Sequence, residues 1–279
     1  MKKLAIIAGL GDLPVSIASA AQERGQGVHV FRLSGFEEER LQRFDHETVG
    51  IGQIGHLIKR LKKVGCEQVV LAGIVKRPNF SNIKLDMRGA KLLPRVLKAA
   101  RNGDDALLRV IVGELETEGF EVIAAEAAAQ DLTVGEGIIF GREPSESELA
   151  DLRKAAAIAG ETGRLDIGQG CVVCDGLVLA VEAQEGTDRM LARITDLEDE
   201  IRGTSISRRG VLVKRPKPIQ ERRIDLPTIG PTTIENAAEA GLVGVGVEAE
   251  GALLLNRDEI GRRCAETGVF LFAFPKDWT

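Results

Sequence analysis

Short apolar runs alternate with amphipathic stretches along the first 125 residues of the chain. The run at 4–8 is continuous and short, as expected for a strand buried on both faces. Stretches between such runs place apolar residues three and four positions apart, which is the spacing of a helix packed on one side. This pattern predicts strands at 4–8, 28–33, 68–72 and 121–125, and helices at 14–24, 53–64, 85–101 and 104–118. The alternation predicts a parallel sheet with helices on both faces.

The second half of the chain mixes hairpin and helix patterns. Gly, Pro and Ser are frequent at 135–147, so we divide the chain into a Rossmann-like domain, 1–132, and a C-terminal mixed α/β domain, 133–279. The second domain is predicted to hold a hairpin at 171–181, strands at 210–213, 243–247, 252–255 and 269–274, and helices at 148–159, 188–200, 235–240 and 258–267. The predicted fold class is therefore α/β with two domains.

Composition narrows the functional classes. The 279 residues carry a net charge of −5, with 44% hydrophobic and 28% charged residues, as in an ordinary globular protein. An acidic chain without Tyr argues against nucleic-acid binding. No apolar run reaches membrane-spanning length, so we expect a cytoplasmic protein. Cys171 and Cys174 have a metal-site spacing, but on a strand they face opposite sides, so we interpret them as structural thiols.

Two loops of the first domain are candidate ligand sites. Gly9-Leu10-Gly11-Asp12-Leu13-Pro14 lies between a strand and a helix, where a dinucleotide fingerprint belongs, but Pro14 replaces its third glycine. Gly11 and Asp12 are thus candidate ligand contacts, with a tight structural turn as the alternative. Gly73, Lys76 and Arg77 follow the strand at 68–72, where two cations suit an anionic ligand and a solvated loop is equally consistent.

The segment 214–230 is the most distinctive part of the second domain. Lysines and arginines dominate it, prolines stiffen it, and the carboxylate of Asp225 stands between Ile224 and Leu226. A solvated basic turn is the plain interpretation; the functional one is an anion site in which Asp225 orients a metal ion or a water. Gly186, Thr187 and Asp188 open a predicted helix, where Thr187 is a candidate N-cap and backbone N–H groups are able to hold a phosphate.

These motifs in this order resemble a known enzyme family. The matching residues are Gly11-Asp12-Leu13-Pro14, Gly73-x-Val75-x-Arg77-Pro78, Gly103-Asp104-Asp105, Glu185-Gly186-Thr187-Asp188, and Lys217-Pro218-x-Gln220-x-Arg222 with Asp225-Leu226-Pro227-Thr228-Ile229-Gly230. Together they are similar to the UDP-2,3-diacylglucosamine pyrophosphatases of lipid A biosynthesis whose fold differs from the calcineurin-like enzymes. One departure is Glu221, where the family pattern has Asp.

The resemblance implies Mg²⁺-dependent hydrolysis of UDP-2,3-diacylglucosamine to 2,3-diacylglucosamine 1-phosphate and UMP, with the lipid held between the two domains. It further implies a Rossmann-like first domain, an unusual α/β second domain, and transient contact with the inner membrane surface. On this basis Asp225 and Asp188 would be the catalytic, metal-binding residues. The expected substrate contacts are Gly11, Asp12, Gly73, Lys76, Arg77, Gly186, Thr187, Lys214, Lys217, Gln220, Arg222 and Thr228.

Two other functions stay open at this point: a Rossmann-type nucleotide-binding oxidoreductase, and a non-catalytic carrier of a sugar nucleotide or lipid. The sequence leaves the oligomeric state undetermined, with a homodimer among the options.

Overall fold

A computed structural model describes residues 1–76, 83–101, 104–218 and 226–278, without the side chains of residues 104, 105 and 130. Within this part the chain forms two compact units. Unit 1 comprises residues 1–130, and unit 2 comprises residues 131–218 and 226–278. Each unit is built around its own sheet.

Unit 1 is a five-stranded parallel sheet with helices between its strands. The strands are β1 (Leu4–Ala8), β2 (Val28–Leu33), β3 (His46–Val49), β4 (Gln68–Ala72) and β5 (Glu121–Val122), in the order β3-β2-β1-β4-β5. The helices are α1 (Asp12–Glu23), α2 (Ile54–Lys63), α3 (Met87–Ala100), α4 (Asp104–Thr117) and α5 (Ala125–Ala128). This strand order is that of doubly wound sheets, in which ligands collect at the carboxyl ends of the strands.

Unit 2 is built on a six-stranded mixed sheet in the order β6-β13-β11-β9-β7-β8. Its strands are β6 (Gly137–Phe140), β7 (Gly170–Cys174), β8 (Leu177–Val181), β9 (Val211–Lys214), β11 (Gly244–Glu248) and β13 (Phe270–Phe274). A separate parallel pair joins β10 (Thr228–Ile229) to β12 (Leu253–Leu254). The helices are α6 (Glu146–Arg164), α7 (Thr187–Ile194), α8 (Pro231–Glu239) and α9 (Arg257–Thr267).

Alternate residues of the unit 2 strands face two different cores. Val213 and Phe274 pack with Leu152 of α6 on one face. Leu212 on the other face packs in a cluster that includes Met190 of α7 and other residues of α7, α8 and α9. Strands β8, β9, β11 and β13 run in the same direction, so their carboxyl ends meet at one edge of the sheet. The segments carrying the predicted phosphate site begin at this edge.

The predicted fold class, a parallel sheet followed by a mixed α/β unit, is confirmed. Sequence reasoning missed β3 and β6, and β6 lies within the Gly-, Pro- and Ser-rich stretch 135–147, where it pairs with β13. The helix predicted at 188–200 ends at Ile194, where the hydroxyl of Thr195 bonds back to the carbonyl of Ala192. The strand predicted at 121–125 stops at Val122.

Both cysteines of the metal-like pair lie on β7 and are buried as free thiols. Burial raises the pKa of Cys171 to about 12 and that of Cys174 to about 11, so both are protonated thiols at neutral pH. None of the helices in the described part of the chain is long and apolar enough to cross a membrane.

Candidate functional site

The two predicted loops of unit 1 are joined at the carboxyl edge of its sheet. The amide of Leu10 donates to the carbonyl of Ile74 at 3.0 Å, and the amide of Ile74 donates to the carbonyl of Leu10 at 2.8 Å. Gly9 permits this approach, since a Cβ there would lie 2.5 Å from the Ile74 oxygen. The structure therefore brings the predicted residues Gly11 and Gly73 to neighbouring loops.

The glycine turn of unit 1 binds a carboxylate of its own chain. Gly11 is the N-cap of α1, with φ 98° and ψ −174°, a region open almost solely to glycine. Its amide donates to Oε2 of Glu38 at 3.2 Å, while Nε of Arg40 donates to Oε1 of Glu38 at 2.7 Å. The Arg40 guanidinium, with the Gly11 amide, lowers the pKa of Glu38 to about 2. The position where a dinucleotide phosphate would bind thus already holds an anion.

The other predicted residues of unit 1 are placed as follows. Asp12 begins α1 and accepts a hydrogen bond from Arg40 at 2.7 Å. Lys76 is exposed beside Gly73, and Arg77 lies outside the described residues.

In unit 2 a lysine is buried at the carboxyl end of β9. Lys214 is 6% exposed, and its ammonium donates to the carbonyl of Thr228 at 3.3 Å. A buried cation is stable only where acceptors or anions surround it, and the Thr228 carbonyl is one such acceptor. The structure thereby brings together two predicted residues that are distant in sequence.

A second glycine turn precedes α7. Gly186 is the N-cap, with φ 79° and ψ 168°, and Thr187 is the first helical residue. The interpretation of Thr187 as the cap is therefore wrong, and no side chain in the described structure caps this helix. The Thr187 hydroxyl donates instead to Oε1 of Glu182 at 3.0 Å. Asp188 is exposed and accepts from the side-chain amide of Asn236 at 3.0 Å.

Glu182 is a buried acid that sequence reasoning missed. It follows β8 directly and is 7% exposed. In the sequence it ends the apolar strand of a hairpin, where an exposed glutamate is the ordinary outcome. Gly168 and Gly170 leave room for it in the structure, because a Cβ at either position would collide with Glu182, but the sequence alone does not indicate this contact.

Two cations of the basic segment make ion pairs within unit 2. The Lys217 ammonium lies 2.8 Å from Oδ1 of Asp166, and the Arg215 guanidinium lies 2.9 Å from Oε2 of the buried Glu248. Of the remaining predicted residues, Gln220, Arg222 and Asp225 lie outside the described residues. Their roles stay predictions.

The described residues do not by themselves fit a magnesium ion. Across 1–76, 83–101, 104–218 and 226–278 no three acid, histidine or cysteine side chains converge as metal ligands. Asp188 offers a single exposed carboxylate that is hydrogen-bonded to Asn236. We therefore derive no chemical step through a metal.

Unit 1 contains an apolar cavity of about 180 Å³ between its sheet and the helices α2, α3 and α4. Its walls include Ile7 of β1, Leu57 of α2, Val96 of α3 and Ile111 of α4. Val75 and Leu108 line both this cavity and the pocket beside Gly73, so the two spaces adjoin. Its apolar walls suit a hydrocarbon ligand.

The fold and these features define a two-unit α/β protein with an apolar cavity in one unit and, in the other, a buried lysine and a helix that begins at a glycine. Residues 3–132 match the family model described as the LpxI N-terminal domain, and residues 135–272 match that of the LpxI C-terminal domain. The UDP-2,3-diacylglucosamine pyrophosphatase LpxI of Caulobacter vibrioides is 49% identical over 271 residues, which is 97% of this chain and 97% of that protein. The chain belongs to the LpxI family.

Proposed function

We propose that this protein hydrolyses the diphosphate of UDP-2,3-diacylglucosamine, giving 2,3-diacylglucosamine 1-phosphate and UMP in lipid A biosynthesis. The observation that carries the proposal is the 49% identity, over nearly the whole length of both chains, to an enzyme named for this substrate. An oxidoreductase is less favoured, because the Gly11 amide that would meet a dinucleotide phosphate is bonded to Glu38.

The apolar cavity of unit 1 supports a substrate with acyl chains. Every methylene moved from water into such a space contributes about 0.8 kcal/mol to binding. Residues lining the cavity come from β1, β2, α2, α3 and α4 and from the loop residues 50–52, 75, 83 and 85. We assign one acyl chain of the substrate to this cavity.

The buried cation of unit 2 supports a diphosphate ligand. Hydrolysis adds a water oxygen to one phosphorus while the bridging P–O bond breaks, and negative charge increases on the leaving phosphate. Fixed cations and N–H donors in a site with little water stabilise such charge. Lys214, which is 6% exposed, and the uncapped start of α7 supply these two kinds of group.

Four further parts of the proposal rest on the resemblance. They are a Mg²⁺ requirement, contact of both units with one substrate, peripheral association of a cytoplasmic protein with the inner membrane, and catalysis by Asp225 with Asp188. Incubation with UDP-2,3-diacylglucosamine and Mg²⁺ should release UMP, and a chelator should stop the reaction. Failure to release UMP under these conditions would refute the function, and full activity with the chelator would refute the metal requirement.

Filling the cavity tests the acyl assignment. Val96→Phe places a larger side chain in the cavity, whereas Leu97→Phe adds the same ring on an exposed position of the same helix. With a long-chain substrate we expect Val96→Phe to raise KM by about tenfold or more, since several methylenes lose their contacts. A short-chain analogue should be cleaved equally well by both variants and the wild type. Equal KM values for the long-chain substrate in all three proteins would contradict the assignment of an acyl chain to this cavity.

A further inference from the structure

The buried carboxyl group of Glu182 has one oxygen that is bonded and one that is not. Oε1 accepts the Thr187 hydroxyl at 3.0 Å, while Oε2 is buried without a hydrogen-bond partner in the described structure. A hydroxyl has one proton to donate, so Thr187 cannot satisfy both oxygens. A buried acceptor left unpaired costs about 1–3 kcal/mol, and such atoms in native proteins require an explanation.

The unpaired oxygen lies over Gly170, the first residue of β7, which is flanked by β8 and β9. Oε2 is 2.5 Å from the place that a Cβ of Gly170 would take, and the amide of Glu182 donates to the Gly170 carbonyl at 2.9 Å. Gly170 pairs on its other side with Lys214. Neighbouring strands are about 4.8 Å apart, so the backbones of Glu182 and Lys214, on either side of Gly170, are roughly 10 Å from each other. Their side chains project from the same face of the sheet, because both residues are paired with Gly170. An anionic and a cationic side chain thus stand on either side of a position without a side chain.

The start of α7 adds anion-binding character beside this acid. Gly186 is in a backbone region that only glycine adopts readily, which lets a ligand approach the chain closely. The first turn of a helix presents N–H groups and the positive end of the helix dipole. A phosphate bound there would leave Glu182 next to whatever group is attached to that phosphate.

We propose that Oε2 of Glu182 accepts a hydrogen bond from a sugar hydroxyl of that half of the substrate whose phosphate is held at the start of α7. Glu182 is then a specificity-determining residue for the proposed hydrolysis. The arrangement follows the general logic of nucleotide sites, where an acid at the end of a strand bonds a sugar hydroxyl while a helix start holds the phosphate. Thr187 keeps the carboxyl oriented, and the second oxygen is left for the ligand.

This inference rests on the proposed function, which supplies two sources of such a hydroxyl. One is the ribose of the UMP half, which carries free 2′- and 3′-hydroxyls. The other is the hexose of the sugar-phosphate half, whose positions 2 and 3 are acylated, so that its free hydroxyls are those at positions 4 and 6. Separate probes distinguish the two sources. Because the oxygen is out of contact with bulk water, a hydroxyl that reaches it gains a hydrogen bond that no water replaces.

Titration calorimetry of wild type and Glu182→Gln with four kinds of probe tests the proposal. The probes are UMP, its 2′-deoxy and 3′-deoxy analogues, glucosamine 1-phosphate, and inorganic phosphate. Glutamine keeps the size of the side chain and an oxygen for Thr187 but turns a donor toward the ligand hydroxyl. We expect it to weaken binding of UMP or of glucosamine 1-phosphate by about 10- to 100-fold, as for a lost bond to a charged acceptor. Binding of inorganic phosphate should not change.

If the ribose is the source, one deoxy analogue should bind the wild type more weakly than UMP, and Glu182→Gln should bind the two equally. If the hexose is the source, only glucosamine 1-phosphate should respond to the substitution. Equal affinities of the wild type and Glu182→Gln for every probe overturn the inference, and so does an equal loss for all probes including phosphate. A wild-type protein that binds no probe overturns it as well. UMP release from the full substrate is measured separately, so the function and the inference fail independently.

A second variant reaches the same atom without changing the acid. The Cβ of Gly170→Ala would push on Oε2, the far end of a side chain that is able to turn away, so the fold should survive. We expect Gly170→Ala to weaken binding of the hydroxyl-bearing probe as much as Glu182→Gln does, and to leave the affinity for inorganic phosphate unchanged. Gly113→Ala is the matched control, because a Cβ there meets nothing within 4 Å. A Gly170→Ala protein with the wild-type melting temperature and unchanged affinity for UMP and glucosamine 1-phosphate would contradict the proposal.

Discussion

The protein contains two helix starts with nearly the same backbone and different chemistry. Gly11 before α1 and Gly186 before α7 both have positive φ and extended ψ, and each lies near a glutamate. In unit 1 the carboxylate of Glu38 bonds the Gly11 amide and Arg40, and Arg40 also bonds Asp12. In unit 2 Glu182 bonds Thr187 and keeps a buried oxygen unpaired.

The difference shows that a glycine turn at a strand's carboxyl end does not by itself indicate a ligand site. In the turn of unit 1 the Gly11 amide and the Glu38 carboxylate are bonded to groups of the chain itself. The turn of unit 2 has an unmet acceptor on Glu182, and the strand position of Gly170 separates Glu182 from the buried Lys214. We therefore locate phosphate chemistry in unit 2, and the following predictions test that assignment.

The largest expected effect comes from the cations near the two turns. Lys214→Met keeps the apolar stem in place and removes the charge, and we expect kcat/KM for UMP release to fall by about 100-fold or more. Arg40→Met removes a cation whose partners are two carboxylates of its own chain, so hydrolysis should continue at the wild-type rate. Steady-state kinetics of both variants measures this difference, with circular dichroism as the check on folding. Similar losses of kcat/KM in the two variants would contradict the assignment of phosphate chemistry to unit 2 alone.

A smaller effect is expected from the acid in unit 1, and it depends on pH. The pKa of Glu38 is lowered from 4.5 to about 2, chiefly by its bond to Arg40. Its stabilisation of the fold is therefore complete above the ordinary glutamate pKa and disappears as the pH falls toward 2. Relative to wild type, Glu38→Gln should lower the free energy of unfolding by about 1–2 kcal/mol at pH 7, because the pair is partly solvent-screened.

Urea unfolding between pH 7 and pH 3 measures this difference, which should shrink at the acid end. Glu39→Gln, a neighbouring exposed position, is the control and should follow the wild-type curve. UMP release by Glu38→Gln at pH 7 should remain at the wild-type rate. A pH-independent difference would contradict the role given to the Glu38 carboxylate in stability. A loss of activity would show that the Gly11 turn also contributes to hydrolysis.

The smallest effect is expected at Lys217, a predicted substrate contact. Its ammonium lies 2.8 Å from Asp166, so part of its charge is already compensated within unit 2. We expect Lys217→Ala to lower kcat/KM by less than about tenfold, in line with the modest energies of partly exposed pairs. A loss as large as that of Lys214→Met would assign Lys217 to the ligand rather than to Asp166.

Much of the fold could be predicted from hydrophobic periodicity. The strands at 4–8, 28–33 and 68–72 agree with β1, β2 and β4, because buried parallel strands are continuous apolar runs between turns. β3 was missed because His46-Glu47-Thr48-Val49 is largely polar and lies at the edge of its sheet. β6 was missed because it is short and surrounded by Gly, Pro and Ser.

The site was less predictable, since its chemistry depends on pairs that are distant along the chain. Lys214 and Gly186 were identified from motifs, but nothing local indicates that Glu182 lies over Gly170 or that Glu38 bonds Gly11. The first contact needs the antiparallel register of β7 with β8, and the second crosses from the loop after β2 to the start of α1. Such pairings are set by tertiary structure, whereas periodicity reports on single elements.

The reciprocal hydrogen bonds between Leu10 and Ile74 provide a natural reporter for solution experiments. Two surface loops that would otherwise exchange their amide protons independently share one opening event, because either amide is released only when the other loop separates. Deuterium uptake at these two amides should therefore rise and fall together. A compound that settles on either loop would slow both signals at once, which offers a label-free way to detect ligand arrival at unit 1.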